Sequence, residues 1–205
     1  NLVCDEVKIT DQKGAESFSQ FSIQPGDVWL GDRIYAQRSG IYDVVSQGGD
    51  VLVRVGVSSM ILEDEEGRRF DLMGHVRTLK RHQVGDWPVV VSYKGRQIFG
   101  RICAVRLSEA ATRKARKRIV KQNKKKGRKT RAETLEAAGF IIVFTTLDPT
   151  IPATTIIQIY RVRWQVELTF KRLKSLLGTG RLHNKNPESA KAWLYGKLLT
   201  ACLVE

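Results

Sequence analysis

Glu167 is a carboxylate set among cations and a phenol. Tyr160, Arg163, Glu167 and Lys174 follow one another at intervals of three, four and seven residues. On a helix turning about 100° per residue they fall within roughly 60°, spread over about 21 Å of axis. Such a face has two chemistries. The plain one is an i,i+4 surface pair of Arg163 with Glu167, worth roughly a few tenths of a kcal/mol. The other makes Glu167 a hard oxygen ligand for a divalent cation and turns Arg163 and Lys174 into clamps on phosphate oxygens. Tyr160 would then bond a phosphate oxygen or stack on a base.

A second carboxylate is needed to hold metal, and Asp32 is the candidate. It follows Val28-Trp29-Leu30, a continuous apolar run that predicts a short strand buried on both faces. Ligand chemistry in open α/β sheets gathers at strand ends. Two carboxylates brought together there repel unless cations lie between them, and Mg2+ or Mn2+ suits such a donor set. A pair of these ions activates a water or a 3′-hydroxyl for in-line attack on phosphate. The plain reading of Asp32 is a turn or capping residue.

The elements that must carry these residues can be read in chain order. Residues 1–11 read as strand or hairpin, and residues 14–21 as a short helix. Ile41 to Val45 reads as a helix stopped by Gly48-Gly49. Val51–Val55, Phe70–Leu72, Val89–Tyr93 and Gln97–Leu107 read as strands, with turns at Gly67, Gly85 and Lys94-Gly95. Ser108 starts a helix that runs into a basic tract broken at Gly127. Ile141–Phe144 is a second buried strand. Residues 152–177 form the long helix, with Ile159, Val162, Val166, Phe170, Leu173 and Leu177 as its core stripe. A further helix follows Asn186-Pro187. Two buried strands, an insertion between them and a helix after the second predict an α/β core.

Charge points to a polyanionic partner. The chain of 205 residues carries +14, and 12 Lys or Arg with no acid lie between Arg113 and Arg131. Without them, 23 cations face 21 acids, so the excess is one segment. Arg113, Lys117, Lys121, Lys125 and Arg128 are its candidate DNA contacts. Cys4, Cys103 and Cys202 have no CxxC spacing, and His75, His82 and His183 lack metal-ligand spacing, which predicts neither a disulfide frame nor a zinc site. No signal peptide or long apolar run is visible, so a cytoplasmic, nucleoid-associated protein without membrane contact is expected.

Tyr160-x2-Arg163-x3-Glu167-x6-Lys174 resembles the Y-R-E-K signature of bacterial insertion-sequence transposases of the DDE type, insertion-sequence family four. Phe144-Thr145-Thr146-Leu147 and Phe170-Lys171-Arg172-Leu173-Lys174 are similar to the same family. Pro25-Gly26-Asp27-Val28-Trp29-Leu30-Gly31-Asp32-Arg33-Ile34-Tyr35 resembles the family's second-aspartate strand. The resemblance implies a ribonuclease-H-like fold with a β-rich insertion between the second and third acids. It implies Asp32 and Glu167 as catalytic metal ligands for Mg2+ or Mn2+, two ions in the complete protein. It implies that Tyr160, Arg163 and Lys174 handle DNA phosphates at the transposon end, and Lys171 on the same helix is a further candidate DNA contact. The implied reaction is hydrolysis at a transposon end, then attack of the freed 3′-hydroxyl on target DNA, by a homodimer on DNA.

The organisation expected is residues 1–50 as the first part of the core, 51–107 as the β-rich insertion, 108–138 as a basic helical segment and 139–205 as the second part of the core. The family's first aspartate is expected upstream of Asn1, since Asp5 leaves little room for the strands and helix due before Asp32. A fragment inactive by itself is therefore expected. Two alternatives are a non-catalytic nucleic-acid-binding module centred on residues 113–131 and another ribonuclease-H-like nuclease.

Overall fold

A computed structural model describes residues 16–176, 178 and 186–204, so the expected strand or hairpin at residues 1–11 and Asp5 lie outside the described residues. Two compact units are present. One is Glu16–Arg161, and the described residues from Val162 onward belong to the other.

The first unit is built on one five-stranded mixed sheet. Its strands are β1 (Val28–Gly31), β2 (Asp50–Arg54), β3 (Val84–Tyr93), β4 (Arg96–Arg106) and β5 (Phe140–Thr145), in the order β1-β2-β5-β4-β3. β1 and β2 are parallel, and every other neighbour is antiparallel. β2 to β5 lie between Asp32 and Glu167 in the chain, and this mixed α/β architecture is ribonuclease-H-like.

Alternation along the central strands sorts the core into two faces. Val51 and Val53 of β2, Ile102 and Ala104 of β4, and Ile142 and Phe144 of β5 share one cluster. That cluster includes Ile41 and Val44 of α1 (Arg38–Ser46) and Leu72, Met73 and Val76 of α2 (Leu72–Arg77). Leu52, Cys103 and Val143 point the other way, onto Ile156, Ile157 and Tyr160 of α5 (Ala153–Leu176). Helices therefore cover both faces.

β1 is not buried on both faces as its apolar run predicts. It pairs only with β2 among the described residues, and Val28 is 42% exposed. Phe70–Leu72 is not a strand. Asp71 accepts from Gly74 N at 2.9 Å and caps α2, which a local apolar pattern cannot distinguish from a strand. Gly85 is no turn but lies inside β3, where the Trp87 ring occupies the space a Cβ would need. The helix expected at residues 14–21 is a single 3-10 turn, Phe18–Gln20, capped by Ser17.

The basic tract forms α3 (Glu109–Lys125), followed by α4 (Ala132–Ala137). Ser108 Oγ accepts from Ala111 N at 3.3 Å, Glu109 sits in the first turn and Lys124 and Lys125 in the last, all in accord with the helix dipole. No residue of α3 is buried.

The second unit contains the later part of α5 and α6 (Pro187–Val204). Asn186 Oδ1 accepts from the amides of Glu188 and Ser189 at 3.0 and 3.1 Å, and Pro187 occupies the first turn, where its missing N–H costs nothing.

Candidate nucleic-acid and metal site

Strand direction gathers the site at one end of the sheet. β1 and β2 run toward that end in parallel, with Gly31 opposite Val53, so Asp32 and Arg54 come level. β5 starts there, runs away and closes at Thr145. The chain then turns back through α5, whose first turns pass beneath Leu52, Cys103 and Val143. Tyr160 is thereby returned toward Asp32.

Two anchors fix that return. Thr146 Oγ1 accepts from Val51 N at 3.0 Å and donates to Asp50 Oδ1 at 2.7 Å. Arg101, 5% exposed, donates to Asp86 Oδ2 at 2.7 Å, to the Asp148 carbonyl at 3.1 Å and to the Ile151 carbonyl at 2.5 Å. The turn before α5 is thus held from the interior of β4.

Asp32 leaves β1 in a tight turn. Its Oδ1 accepts from Ile34 N at 2.8 Å, and its carbonyl accepts from Tyr35 N at 3.2 Å. Gly31 permits the turn, since a Cβ there would lie 2.6 Å from Tyr35 Cβ and 2.8 Å from the Phe18 ring. The turn role expected of Asp32 therefore exists, but it uses one carboxylate oxygen. Oδ2 accepts no hydrogen bond among the described residues.

Two arginines absent from the sequence-based candidates lie beside it. Arg33 is exposed as a residue, yet burial of its guanidinium, then the nearby Arg54 charge, push its pKa below the ordinary value; Tyr160 and Asp32 oppose the shift. Arg54 Nε is buried with no hydrogen-bond partner. Neither arginine forms a salt bridge among the described residues. Two neighbouring guanidiniums, that of Arg54 with its Nε buried, favour an anion beside them. The available signal was Arg54 itself, a lone cation inside the apolar run Val51–Val55. Tyr35 lies near the same charges, and burial, then Glu16 and Asp32, raise its pKa.

The other candidates distribute as follows. Tyr160 is 6% exposed and packs with Ile156 and Ile157, so in the first unit the helix buries positions i, i+1 and i+4. Val162, expected in the core stripe, is 51% exposed, because the buried face of α5 at this level is set by Ile156, Ile157 and Tyr160. Arg163 is half-buried and Lys171 exposed. Glu167 and Lys174 belong to α5 by backbone, while their side chains lie outside the described residues, as do those of Val166, Phe170 and Leu173. Arg113, Lys117, Lys121, Lys125 and Arg128 are exposed.

Among the described residues no group of three His, Cys, Asp or Glu is placed to hold a metal. The donor chemistry of Asp32 nevertheless fits a hard divalent cation, as one carboxylate with an oxygen to spare at a strand end. No helix among the described residues is long and apolar enough to cross a membrane.

A mixed α/β domain with a carboxylate and paired arginines at its strand ends is the class that fold and site define. Residues 2–203 match the Transposase DDE domain, and the chain belongs to that family. It is 35% identical to the transposase for insertion sequence element IS421 of Escherichia coli, over 98% of this chain and 56% of that protein. It is 26% identical to the transposase for insertion sequence element IS231E of Bacillus thuringiensis subsp. finitimus, over 89% of this chain and 41% of that protein. The chain thus spans about half the length of these curated relatives. Metal dependence is general in DDE transposases.

Proposed function

We propose that this chain is the catalytic region of a cut-and-paste DNA transposase, acting with Mg2+ or Mn2+ at a site that includes Asp32 and Glu167. The observation that carries the reading is the strand-end carboxylate of Asp32, with one oxygen uncommitted, beside the guanidiniums of Arg33 and Arg54. Family membership and the spacing Tyr160, Arg163, Glu167 and Lys174 in one helix support it.

Asp32 and Glu167 would hold two divalent ions, which when bound supply an activated water and a stabilised leaving oxygen. The chain's own residues position the DNA. Arg33 and Arg54 grip a phosphate at the strand ends, and Arg163, Lys171 and Lys174 grip others along α5. Tyr160, buried with Ile156 and Ile157, anchors the helix in the core and so sets where the following turns of α5 meet DNA. In the first reaction water attacks phosphorus, the 3′-oxygen leaves, and a 3′-hydroxyl and a 5′-phosphate result. In the second, that 3′-hydroxyl attacks a target phosphodiester and displaces its 3′-oxygen. A homodimer would bring two ends together in the cytoplasm, at the nucleoid.

The complete protein with Mg2+ should cleave DNA bearing the ends of its element. Glu167→Ala should abolish cleavage and joining while DNA binding persists. Cleavage by Glu167→Ala at the wild-type rate would remove Glu167 from the site.

A further inference from the structure

A basic stripe runs along α3 toward a hollow at its foot. On the helix, Ala111, Thr112, Ala115, Ile119 and Asn123 are half-buried and share the face turned to the protein. Asn123 Nδ2 donates to Thr130 Oγ1 at 2.9 Å on this side. At about 100° per residue, Arg113, Lys117, Lys121 and Lys124 cluster within roughly 80°, on the face opposite. All four are exposed, and none has a hydrogen-bond or ion-pair partner for its side chain among the described residues. Four like charges at helical spacing repel one another. No described carboxylate lies within ion-pair distance of any of the four.

The stripe continues into an open recess of about 430 Å³ at the foot of α3. Arg77, Arg106, Arg113 and Arg116 line it, against Glu109 and Glu136. Arg77 is committed to Glu136 through two bonds of 2.8 Å. Arg106 donates to the Leu79 carbonyl at 3.4 Å, and Arg116 Nε donates to the Leu135 carbonyl at 2.9 Å. These bonds fix guanidiniums around the hollow while Arg113 stays uncommitted.

The register ties this surface to the candidate site. Arg54 pairs with Val143 and Val143 with Cys103, so Arg106 lies three residues beyond the level of Arg54 at the same end of the sheet. Three strand spacings of about 4.8 Å separate β1 from β4 across the sheet.

We infer that the recess seats one backbone phosphate of duplex DNA and that Arg113, Lys117, Lys121 and Lys124 follow the same strand along α3, without reading its sequence. From Arg113 to Lys124 the helix rises about 16 Å, matching about five base-pair steps of 3.4 Å. Long, rotatable lysines suit phosphate oxygens and carry no base code. The inference rests on the reading that DNA is the substrate and adds the duplex grip, its strand path and its independence of metal.

The test measures binding of the complete protein to a labelled 30-base-pair duplex of arbitrary sequence, in EDTA, across a salt series. Replacing Arg113, Lys117, Lys121 and Lys124 with Gln should lower the slope of log affinity against log salt by about 3–4. Affinity near 0.1 M salt should fall at least about tenfold. A matched set with Arg69, Arg81, Lys94 and Arg96 changed to Gln carries the same net charge and should keep the wild-type slope. Lys117→Arg, Lys121→Arg and Lys124→Arg together should keep binding, which separates lost charge from lost fold. An unchanged slope in the α3 set, or an equal loss in the matched set, overturns the inference. Failure of the transposase reading shows elsewhere, as cleavage that survives Asp32→Ala or Glu167→Ala.

Discussion

Arg101 donates to the carbonyl of Ile151 at 2.5 Å, joining the middle of β4 to the residue that precedes Pro152 and α5. The same guanidinium meets Asp86 at 2.7 Å, and the Arg101 side chain is 6% exposed against 39% for Asp86. Arg101→Met would leave Asp86 and two carbonyls without their donor. A loss of about 2–4 kcal/mol is expected in denaturant unfolding, below the full cost of breaking a buried pair because Asp86 keeps solvent. In the complete protein, cleavage should fall by more than the population of unfolded molecules explains, since the turn that aims α5 is loosened.

The joint between sheet and α5 is apolar, and it too can be tested. Leu52, Val143 and Ile156 are each fully buried. Leu52→Ala should destabilise by about 2–5 kcal/mol, by lost transfer energy and the cavity left between β2 and α5. A midpoint shift of less than about 1 kcal/mol would show that α5 does not seal this face.

Gly31→Ala forces a Cβ to within 2.6 Å of Tyr35 Cβ and 2.8 Å of the Phe18 ring. Overpacking of this kind costs about 1–3 kcal/mol. The displaced turn carries Asp32, so cleavage by the complete protein should drop further than stability does. Equal losses would mean that the turn geometry is only structural.

If Arg33 and Arg54 grip a phosphate as proposed, they trade stability for binding. Arg54→Gln removes the like charge that, after burial, lowers the Arg33 pKa. Thermal stability should be unchanged or raised, while affinity for element-end DNA weakens by about 1.5–3 kcal/mol, the usual worth of a charged hydrogen bond. Stability and affinity falling together would make Arg54 a packing residue.

Cys103 is fully buried, and burial first, then Asp86, push its thiol pKa up to about 12 from 9.0. A pKa raised by folding stabilises the native state fully below 9.0, and that contribution is lost as pH rises toward 12. Unfolding midpoints should therefore fall between these values in wild type and less steeply in Cys103→Ala. Native Cys103 should resist thiol reagents at pH 8, and rapid labelling there would contradict its burial.

Residue patterns made the strands β2 to β5 legible, because Val51–Val55, Val89–Tyr93, Gln97–Leu107 and Ile141–Phe144 are apolar at strand spacing. The extent of α5 was legible too, from its helical period and the Gly178 stop. Sheet order was not, since pairing of β5 between β2 and β4 joins residues far apart in the chain. The local cap at Asp71 hid α2 behind a strand-like triplet. In the proposed site, the place of Asp32 after a strand was legible from the apolar run before it. Arg33 and Arg54 were not, because their significance arises only when parallel pairing brings Gly31 level with Val53. Tyr160 looked like part of a charged face. Its burial depends on α5 folding back over Leu52, which no local period encodes.

The proposed chemistry depends on metal ligation by Asp32. Strand cleavage by the Asp32→Cys form of the complete protein, compared in Mg2+ and Mn2+, tests it most directly. A thiolate is a poor ligand for Mg2+ and a better one for Mn2+. Cleavage should be lost in Mg2+ and partly restored in Mn2+, with DNA binding intact throughout. Wild-type cleavage by Asp32→Cys in Mg2+ would contradict it.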